Sequence, residues 1–252
     1  MTTAMIASPF EQFEIVPLLS LGTLFQNFAL TNSSVFSFIV LAAVAGLFSF
    51  GTKEATIVPN RWQTLVEQAY AVVADVVQSS VGPRGAAYFP WMFSTFVMIA
   101  GANVVGLIPY AFTVTSHLAV TMGFGLATFI GINIVAFREH GLHFFSFFVP
   151  KDVPVALLPL LCVIEVISYI FRVISLSVRL FANMMAGHAL LKILAGFVWQ
   201  LLALGGIFSL AGLFPFVAMM GVTVLELGVA LLQAYVWTVL CCIYLNDAIH
   251  LH

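Results

Sequence analysis

The chain has 252 residues, of which 62% are hydrophobic and 7% are charged, and its formal net charge is −2. Soluble domains carry about 25% charged residues, so this composition excludes a protein that faces water on all sides and predicts an integral membrane protein. The small net charge also argues against a nucleic-acid partner. The three cysteines, Cys162, Cys241 and Cys242, fall in apolar runs, which predicts small buried side chains and neither a disulfide framework nor a metal site.

Long apolar runs without the period-two alternation of strands predict an all-α polytopic membrane protein. The chain divides into an N-terminal segment, residues 1–33, and a single membrane domain, residues 34–252. The first predicted transmembrane helix covers about residues 34–51. Two further transmembrane helices, at about residues 90–112 (ending at Pro109) and 117–137, form a hairpin.

Residues 59–80 show a different pattern from the spans around them. Apolar side chains such as Trp62 and Val73 share one helical face, and charged side chains such as Glu67 and Asp75 lie mostly on the other. This pattern predicts an amphipathic interfacial helix that lies on the membrane surface or against a partner.

Residues 155–247 form a pair of unusually long apolar helices in the prediction. The first continues to about residue 203, where Gly205 and Gly206 interrupt it, and the second contains a predicted kink at Pro215. A helix of about 45 residues is about 70 Å long, whereas the hydrocarbon core is about 30 Å thick. The two helices are therefore predicted to form an antiparallel hairpin that is strongly tilted, beyond the usual ~20°, or nearly flat.

Basic residues predict the orientation of the chain. Residues 1–33 contain no Lys or Arg, whereas Lys53, Arg61 and Arg84 follow the first span and Arg138 and Lys151 follow the third. Basic loops favour the inner side of the membrane. The N-terminus is therefore predicted to face outward and the C-terminus inward.

The long hairpin carries polar and ionisable residues that cluster when its helices are paired. An antiparallel register that places Arg179 beside Gln233 also places Glu165 beside Asp247. Glu165 then lies about 21 Å from Arg179 along the helix axis. The register predicts a polar group at the inner end of the hairpin and an arginine in its middle.

The same register brings His188 close to Glu226 at the outer end. Carboxylates and histidine exchange protons in the accessible pH range once burial shifts them. Arginine keeps its proton in proteins, so Arg179 can block proton passage and can force a nearby carboxylic acid to ionise. Since no spare carboxylate lies at its depth, that carboxyl group is predicted to belong to a partner.

Other interpretations of these residues stay open at this point. Arg179 could be neutralised by Glu165 or Glu226 as a structural pair, and Arg172 could be structural or could contact a partner. His188 could be a satisfied buried histidine, and Lys192 is expected to snorkel. The pairs His140 with His143 and His250 with His252 lie at membrane edges, and no metal is expected there. A haem protein would need pairs of intramembrane histidines, for which only His117 and His188 are candidates.

The motif "SLSVRLFANMMAGHALL", together with "LELGVALLQAYVWTVL" and "YLNDAIHLH", resembles subunit a of F-type ATP synthase. "SPFEQFEI", "NVVGLIPYAF" and "HGLHFFSFFVP" are similar to the fungal mitochondrial members. Mature fungal members begin near a serine like Ser8, so the resemblance implies that residues 1–7 are a removed leader. The resemblance implies a multi-pass protein of the mitochondrial inner membrane. Its N-terminus would lie in the intermembrane space and its C-terminus toward the matrix.

The resemblance also implies a function in proton transport. Subunit a packs against the rotating c-ring and other stator subunits of the subunit b type, and it conducts H⁺ through two offset half-channels without a cofactor or an ATP site. Arg179 matches the essential arginine that faces the ring carboxylate. The remaining matches are the intermembrane-space half-channel, at Asn183, His188, Glu226 and Gln233, and the matrix half-channel, at Glu165 and Asp247.

Two rival functions make different predictions. A stand-alone secondary transporter would show an internal repeat and broken helices around a midplane site, and no repeat is visible in the sequence. A purely structural membrane scaffold does not explain why one register aligns the polar pairs of the hairpin.

Overall fold

The computed structural model describes residues 11–20, 29–53, 55–108, 111–141, 143–144 and 158–249. In this part of the chain the helices are α1 (Asn32–Thr52), α2 (Arg61–Val81), α3 (Phe89–Gly106), α4 (Leu118–His140), α5 (Leu158–Leu204), α6 (Ile207–Ala211) and α7 (Leu213–Ile249). Among the described residues, five segments are long and apolar enough to span a membrane, and they contain α1, α3, α4, α5 and α7. The predicted all-α polytopic membrane protein, with two long C-terminal helices, is confirmed.

The N-terminal segment departs from the helical pattern. Strand β1 (Pro17–Ser20) pairs antiparallel with β2 (Ala29–Thr31), which leads directly into α1. The hydroxyl of Thr31 accepts a hydrogen bond from the Ser34 backbone N–H, and the Ser34 hydroxyl accepts one from the Thr31 N–H. This capping box satisfies backbone donors that the first helical turn leaves free.

Helix α2 forms where the amphipathic pattern predicted a helix. The valines in its second half, Val73, Val76, Val77 and Val81, are buried in the core that α2 shares with α3, α5 and α7. Near its N-terminus, Trp62 and Leu65 remain 59% and 52% exposed. The apolar face is therefore divided between contacts within the chain and exposed surface.

The connection between α3 and α4 is buried inside the protein, which the sequence did not predict. Helix α3 ends at Gly106 rather than near residue 112. Pro109 lies three residues further on, and a proline disfavours the helical conformation at the residue that precedes it, so the helix ends before Pro109. Residues 112–116 then turn back into the protein and are buried, with a 3₁₀ turn at Val114–Ser116. Helix α4 continues to His140, beyond the predicted end at residue 137.

The long C-terminal hairpin is confirmed as two antiparallel helices. Helix α5 is continuous over 47 residues. Gly205 and Gly206 have φ values of +68° and +60°, a left-handed conformation that glycine adopts without steric cost, and they make the turn. The predicted kink at Pro215 is corrected: the helix breaks at Gly212, and Pro215 lies in the first turn of α7, where proline is tolerated.

Helix α7 lies at the centre of the protein. It packs against α2, α3, α4 and α5, and Trp237, Cys242 and Leu245 on it are fully buried. Cys241 is buried as predicted, whereas Cys162 is only half-buried. The proposed leader at residues 1–7, the loop residue Lys151, and His250 and His252 lie outside the described residues.

Candidate functional site

The half of the hairpin nearer the Gly205–Gly206 turn contains a buried histidine and carboxylate. His188 on α5 and Glu226 on α7 approach to 3.9 Å between Nε2 and Oε1. Their side chains are 15% and 4% exposed. Neither Glu226 oxygen has a hydrogen-bond partner among the described residues. The predicted proximity of the two residues is confirmed, and it leaves a buried carboxyl group whose hydrogen-bonding capacity is unused.

Glycine on α5 makes this approach possible. Nine residues separate Arg179 from His188, which puts the two on nearly opposite faces of a straight helix, so His188 does not project toward the arginine. A Cβ atom at Gly187 would overlap Oε1 of Glu226 and lie 2.8 Å from its Cδ. The Glu226 carboxylate therefore rests directly on the α5 backbone at Gly187 and reaches His188 there.

A set of polar residues around this pair was missed from the sequence. Thr113 Oγ1 lies 2.9 Å from His188 Nε2. Thr115 donates a hydrogen bond of 3.0 Å to Asn103 Oδ1, and Asn103 Nδ2 donates one of 3.1 Å to the Ala230 carbonyl on α7. The available signal was a run of small polar residues, "TVTS", after Pro109 in an otherwise apolar hairpin.

His117 follows this run at the start of α4. Its ring stacks on Phe112 with centroids 5.1 Å apart, and its Nε2 atom is buried without a hydrogen-bond partner among the described residues. Burial lowers the pKa of the His117 imidazole, which favours the neutral ring.

In the middle of the hairpin, the pairing of α5 with α7 differs from the predicted register by one helical turn. Asn183 Nδ2 donates a hydrogen bond of 3.0 Å to Oε1 of Gln233, and Gln233 is 2% exposed. The residue beside Gln233 is thus Asn183 and not Arg179. Both residues lie between Arg179 and the His188–Glu226 pair.

Arg179 faces outward from the described protein. Its side chain is exposed, and it forms no hydrogen bond or ion pair with any described residue, so the structural pairing with Glu165 or Glu226 is not found. The residues exposed beside it on the same face of α5 are small: Ser175, Ala182 and Ala186. Small side chains let another helix approach closely in a membrane.

The opposite end of the hairpin, where α5 begins and α7 ends, also differs from the predicted pairing. Asp247 Oδ2 lies 3.3 Å from Arg172 Nη1, so Asp247 pairs with Arg172 instead of Glu165. The rings of Tyr169 and Tyr244 lie 5.9 Å and 5.3 Å from the Arg172 guanidinium carbon. Arg172 thus has partners within the chain. Glu165 is half-buried two turns before it.

Metal binding finds no support in the described part of the chain. No group of three or more His, Cys, Asp or Glu residues there could hold a metal ion. His140 Nε2 instead lies 3.1 Å from the Ile249 carbonyl, where it joins the ends of α4 and α7. The arrangement is one of separated ionisable groups along two helices with an exposed arginine between them.

Comparison with known proteins identifies relatives of similar length. The family described as "ATP synthase A chain" matches residues 34–246. The "ATP synthase subunit a" of the red alga Chondrus crispus is 46% identical over 251 residues, which cover 100% of this chain and 99% of that protein. The subunit of Marchantia polymorpha is 49% identical (98% and 100% covered), and that of Rhodospirillum rubrum is 45% identical (97% and 99% covered).

Proposed function

The chain belongs to the family of ATP synthase subunit a, the proton-translocating stator subunit of the membrane sector, and we propose that its long hairpin forms two offset proton half-channels separated by Arg179. The sites of ATP chemistry lie elsewhere in the complex. The c-ring is the partner in the membrane sector that membership implies, and other stator subunits of the subunit b type are proposed to contact the rest of the surface.

Arg179 is the proposed barrier and the partner of the ring carboxylate. It is exposed, it has no ion-pair partner among the described residues, and it is flanked by Ser175, Ala182 and Ala186. A ring helix could therefore approach α5 closely and bring a protonated carboxyl group to the guanidinium. An adjacent positive charge favours the ionised form of a carboxyl group, so the proton leaves. The arginine itself keeps its proton and cannot pass one between the half-channels.

The outer half-channel is proposed to use His188, Glu226, Asn183 and Gln233. The observation that carries this proposal is the buried Glu226 carboxyl, 3.9 Å from His188 and without a hydrogen bond from the described residues. A buried carboxyl without fixed donors can exchange protons with water or histidine, whereas a carboxylate held by several donors stays ionised. The Asn183–Gln233 pair continues the polar route toward Arg179.

The inner half-channel is proposed to use Asp247 and Glu165. Asp247 is 32% exposed while it contacts Arg172, so it is accessible and held in position at once. Glu165 lies further toward the start of α5, on the face that Arg172 and Arg179 share. In this proposal Arg172 positions Asp247 and does not touch the ring carboxylate.

The proposed location is the mitochondrial inner membrane, with the N-terminus in the intermembrane space and the C-terminus toward the matrix. The basic residues after the first span support the orientation. The mitochondrial assignment follows from the resemblance of the sequence motifs to mitochondrial members. Membership of the fungal branch stays a prediction from the N-terminal motifs, as does the strong tilt of the hairpin.

Proton uptake by membrane vesicles that carry the assembled complex tests the outer half-channel. We expect Glu226→Gln to abolish most ATP-driven pumping while the amount of assembled complex stays normal, because the glutamine amide does not exchange protons at neutral pH. Normal pumping in this variant would refute the role of Glu226. If the chain were instead a stand-alone secondary transporter, the purified chain would move protons in liposomes without the ring. As subunit a it should conduct protons only together with the ring.

A further inference from the structure

We propose that Thr113 is a positioning residue for His188, and that its hydroxyl holds the neutral imidazole in the tautomer with the proton on Nε2. Thr113 lies in the connection between α3 and α4, outside the long hairpin to which the proton path was assigned. The inference rests on the proposed function of His188 as a proton-exchanging residue.

The hydrogen bonds of Thr113 determine the tautomer. A threonine hydroxyl has one hydrogen to donate and lone pairs to accept with. The Gly106 carbonyl can only accept, so Thr113 Oγ1 donates in its contact of 3.2 Å with that oxygen. We therefore assign the contact of 2.9 Å with His188 Nε2 as one in which the imidazole N–H donates. The neutral ring then has its only acceptor at Nδ1.

Glu226 does not take this role from Thr113. Its Oε1 lies 3.9 Å from the same Nε2 atom, which is beyond hydrogen-bonding distance. The second ring contact of His188 is an edge-on approach to Phe13, with centroids 6.4 Å apart, and it offers no strong acceptor. Among the described residues, the Thr113 hydroxyl is thus the hydrogen-bond partner of His188 Nε2.

Thr113 is itself held rigidly. A Cβ atom at Gly106 would lie 2.8 Å from Thr113 Cγ2 and 3.1 Å from its Oγ1, so the close approach to the Gly106 carbonyl depends on glycine. Ser116 donates a hydrogen bond of 2.6 Å to the Thr113 carbonyl, and Thr113 is 3% exposed.

The same connection is anchored to the helix that carries Glu226. Thr115 bonds to Asn103, and Asn103 bonds to the Ala230 carbonyl one turn after Glu226. Asn103 is 0% exposed and Thr115 is 1% exposed. The connection therefore sets the position of the His188 ring relative to the Glu226 carboxyl, and a proton that the neutral ring takes up forms its new N–H bond at Nδ1.

Matched variants in the assembled complex test the proposal. Valine has the shape of threonine without the hydroxyl, so Thr113→Val should lower ATP-driven proton uptake by about fivefold or more, an effect of the size expected for losing one buried hydrogen bond. Thr113→Ser keeps the hydroxyl and should retain at least half of the activity. Equal uptake by the valine and serine variants would overturn the inference.

A His188→Ala background separates this inference from the proposed function. Thr113→Val should cause no further loss there, whereas an undiminished additional loss would show that Thr113 acts independently of His188. If His188→Ala alone leaves uptake normal, the proposed role of His188 fails. If Thr113→Val prevents assembly, Gly106→Ala provides the test by displacing the hydroxyl without removing it, and normal uptake in that variant would also overturn the inference.

Discussion

Gly187 and the carboxyl group of Glu226 are in direct contact across the α5–α7 interface, and the space that a side chain would fill at position 187 is occupied by Glu226. His188 points away from the Arg179 face of its own helix, and yet it meets a carboxylate from α7. The absence of a Cβ at Gly187 explains how, because the Glu226 side chain lies against the bare backbone of α5.

Gly187→Ala is therefore predicted to move the Glu226 carboxyl group away from His188. The new Cβ would lie 2.8 Å from Glu226 Cδ, so the carboxylate must move or the helices must separate. Proton uptake by vesicles with the assembled complex should fall by tenfold or more. Gly196→Ala is the matched control on the same helix, since nothing lies within 4 Å of a Cβ there, and it should leave uptake unchanged. Similar uptake by both variants would mean that Glu226 adapts without functional loss.

Arg179→Ala is predicted to abolish both ATP-driven pumping and proton-driven synthesis while the complex still assembles. The side chain is exposed and makes no ion pair with a described residue, so its removal costs little packing, but it removes the charge that is proposed to ionise the ring carboxyl group. A passive proton leak is also expected, because the barrier between the half-channels is lost. Leak is measured in vesicles without ATP.

Arg179→Lys should be nearly as inactive as the alanine variant. A lysine can lose its proton when buried, and its single ammonium does not reproduce the planar guanidinium. Near-normal coupled pumping in either Arg179 variant would make the arginine structural and would contradict the proposed mechanism.

The ion pair at the inner end is predicted to stabilise the hairpin. Arg172 and Asp247 are 26% and 32% exposed, so solvent screens the pair, and Arg172→Gln should lower stability by about 1 kcal/mol, the upper range for such pairs. The measurement is retention of the subunit in the complex on mild heating. Exchange of the two charges in Arg172→Asp with Asp247→Arg should restore retention but not proton transport if Asp247 carries protons. Full transport by the exchanged pair would exclude that role.

Thiol crosslinking is predicted to reproduce the register in which Asn183 lies beside Gln233. In a background with Cys162, Cys241 and Cys242 replaced by alanine, cysteines at 183 and 233 should link efficiently with a short reagent, because the native side chains are 3.0 Å apart. Cysteines at 179 and 233 serve as the control and should link poorly. The reverse preference would return the register to the one predicted from spacing alone.

The alignment of the polar pairs was only partly predictable from their positions in the chain. Spacing placed His188 near Glu226, and the structure confirms it. It also placed Arg179 beside Gln233 and Glu165 beside Asp247, where the structure has Asn183 and Arg172. Shifts of one turn at Gln233 and of two turns at Asp247 satisfy periodicity equally well, because residues four or seven apart share a helical face.

Composition and run length by themselves determined that this is a helical membrane protein with two long C-terminal helices, because the bilayer sets the length and apolarity of any span. Specific residues determined the turn at Gly205 and Gly206, since few others adopt a positive φ. Only the tertiary structure decided the partners of Arg172, Asn183 and His188 and the contacts of residues 112–116 around His188. Those contacts depend on the packing of α5, α7 and the α3–α4 connection, where the small volume of Gly187 and Gly106 permits approaches that no periodicity encodes.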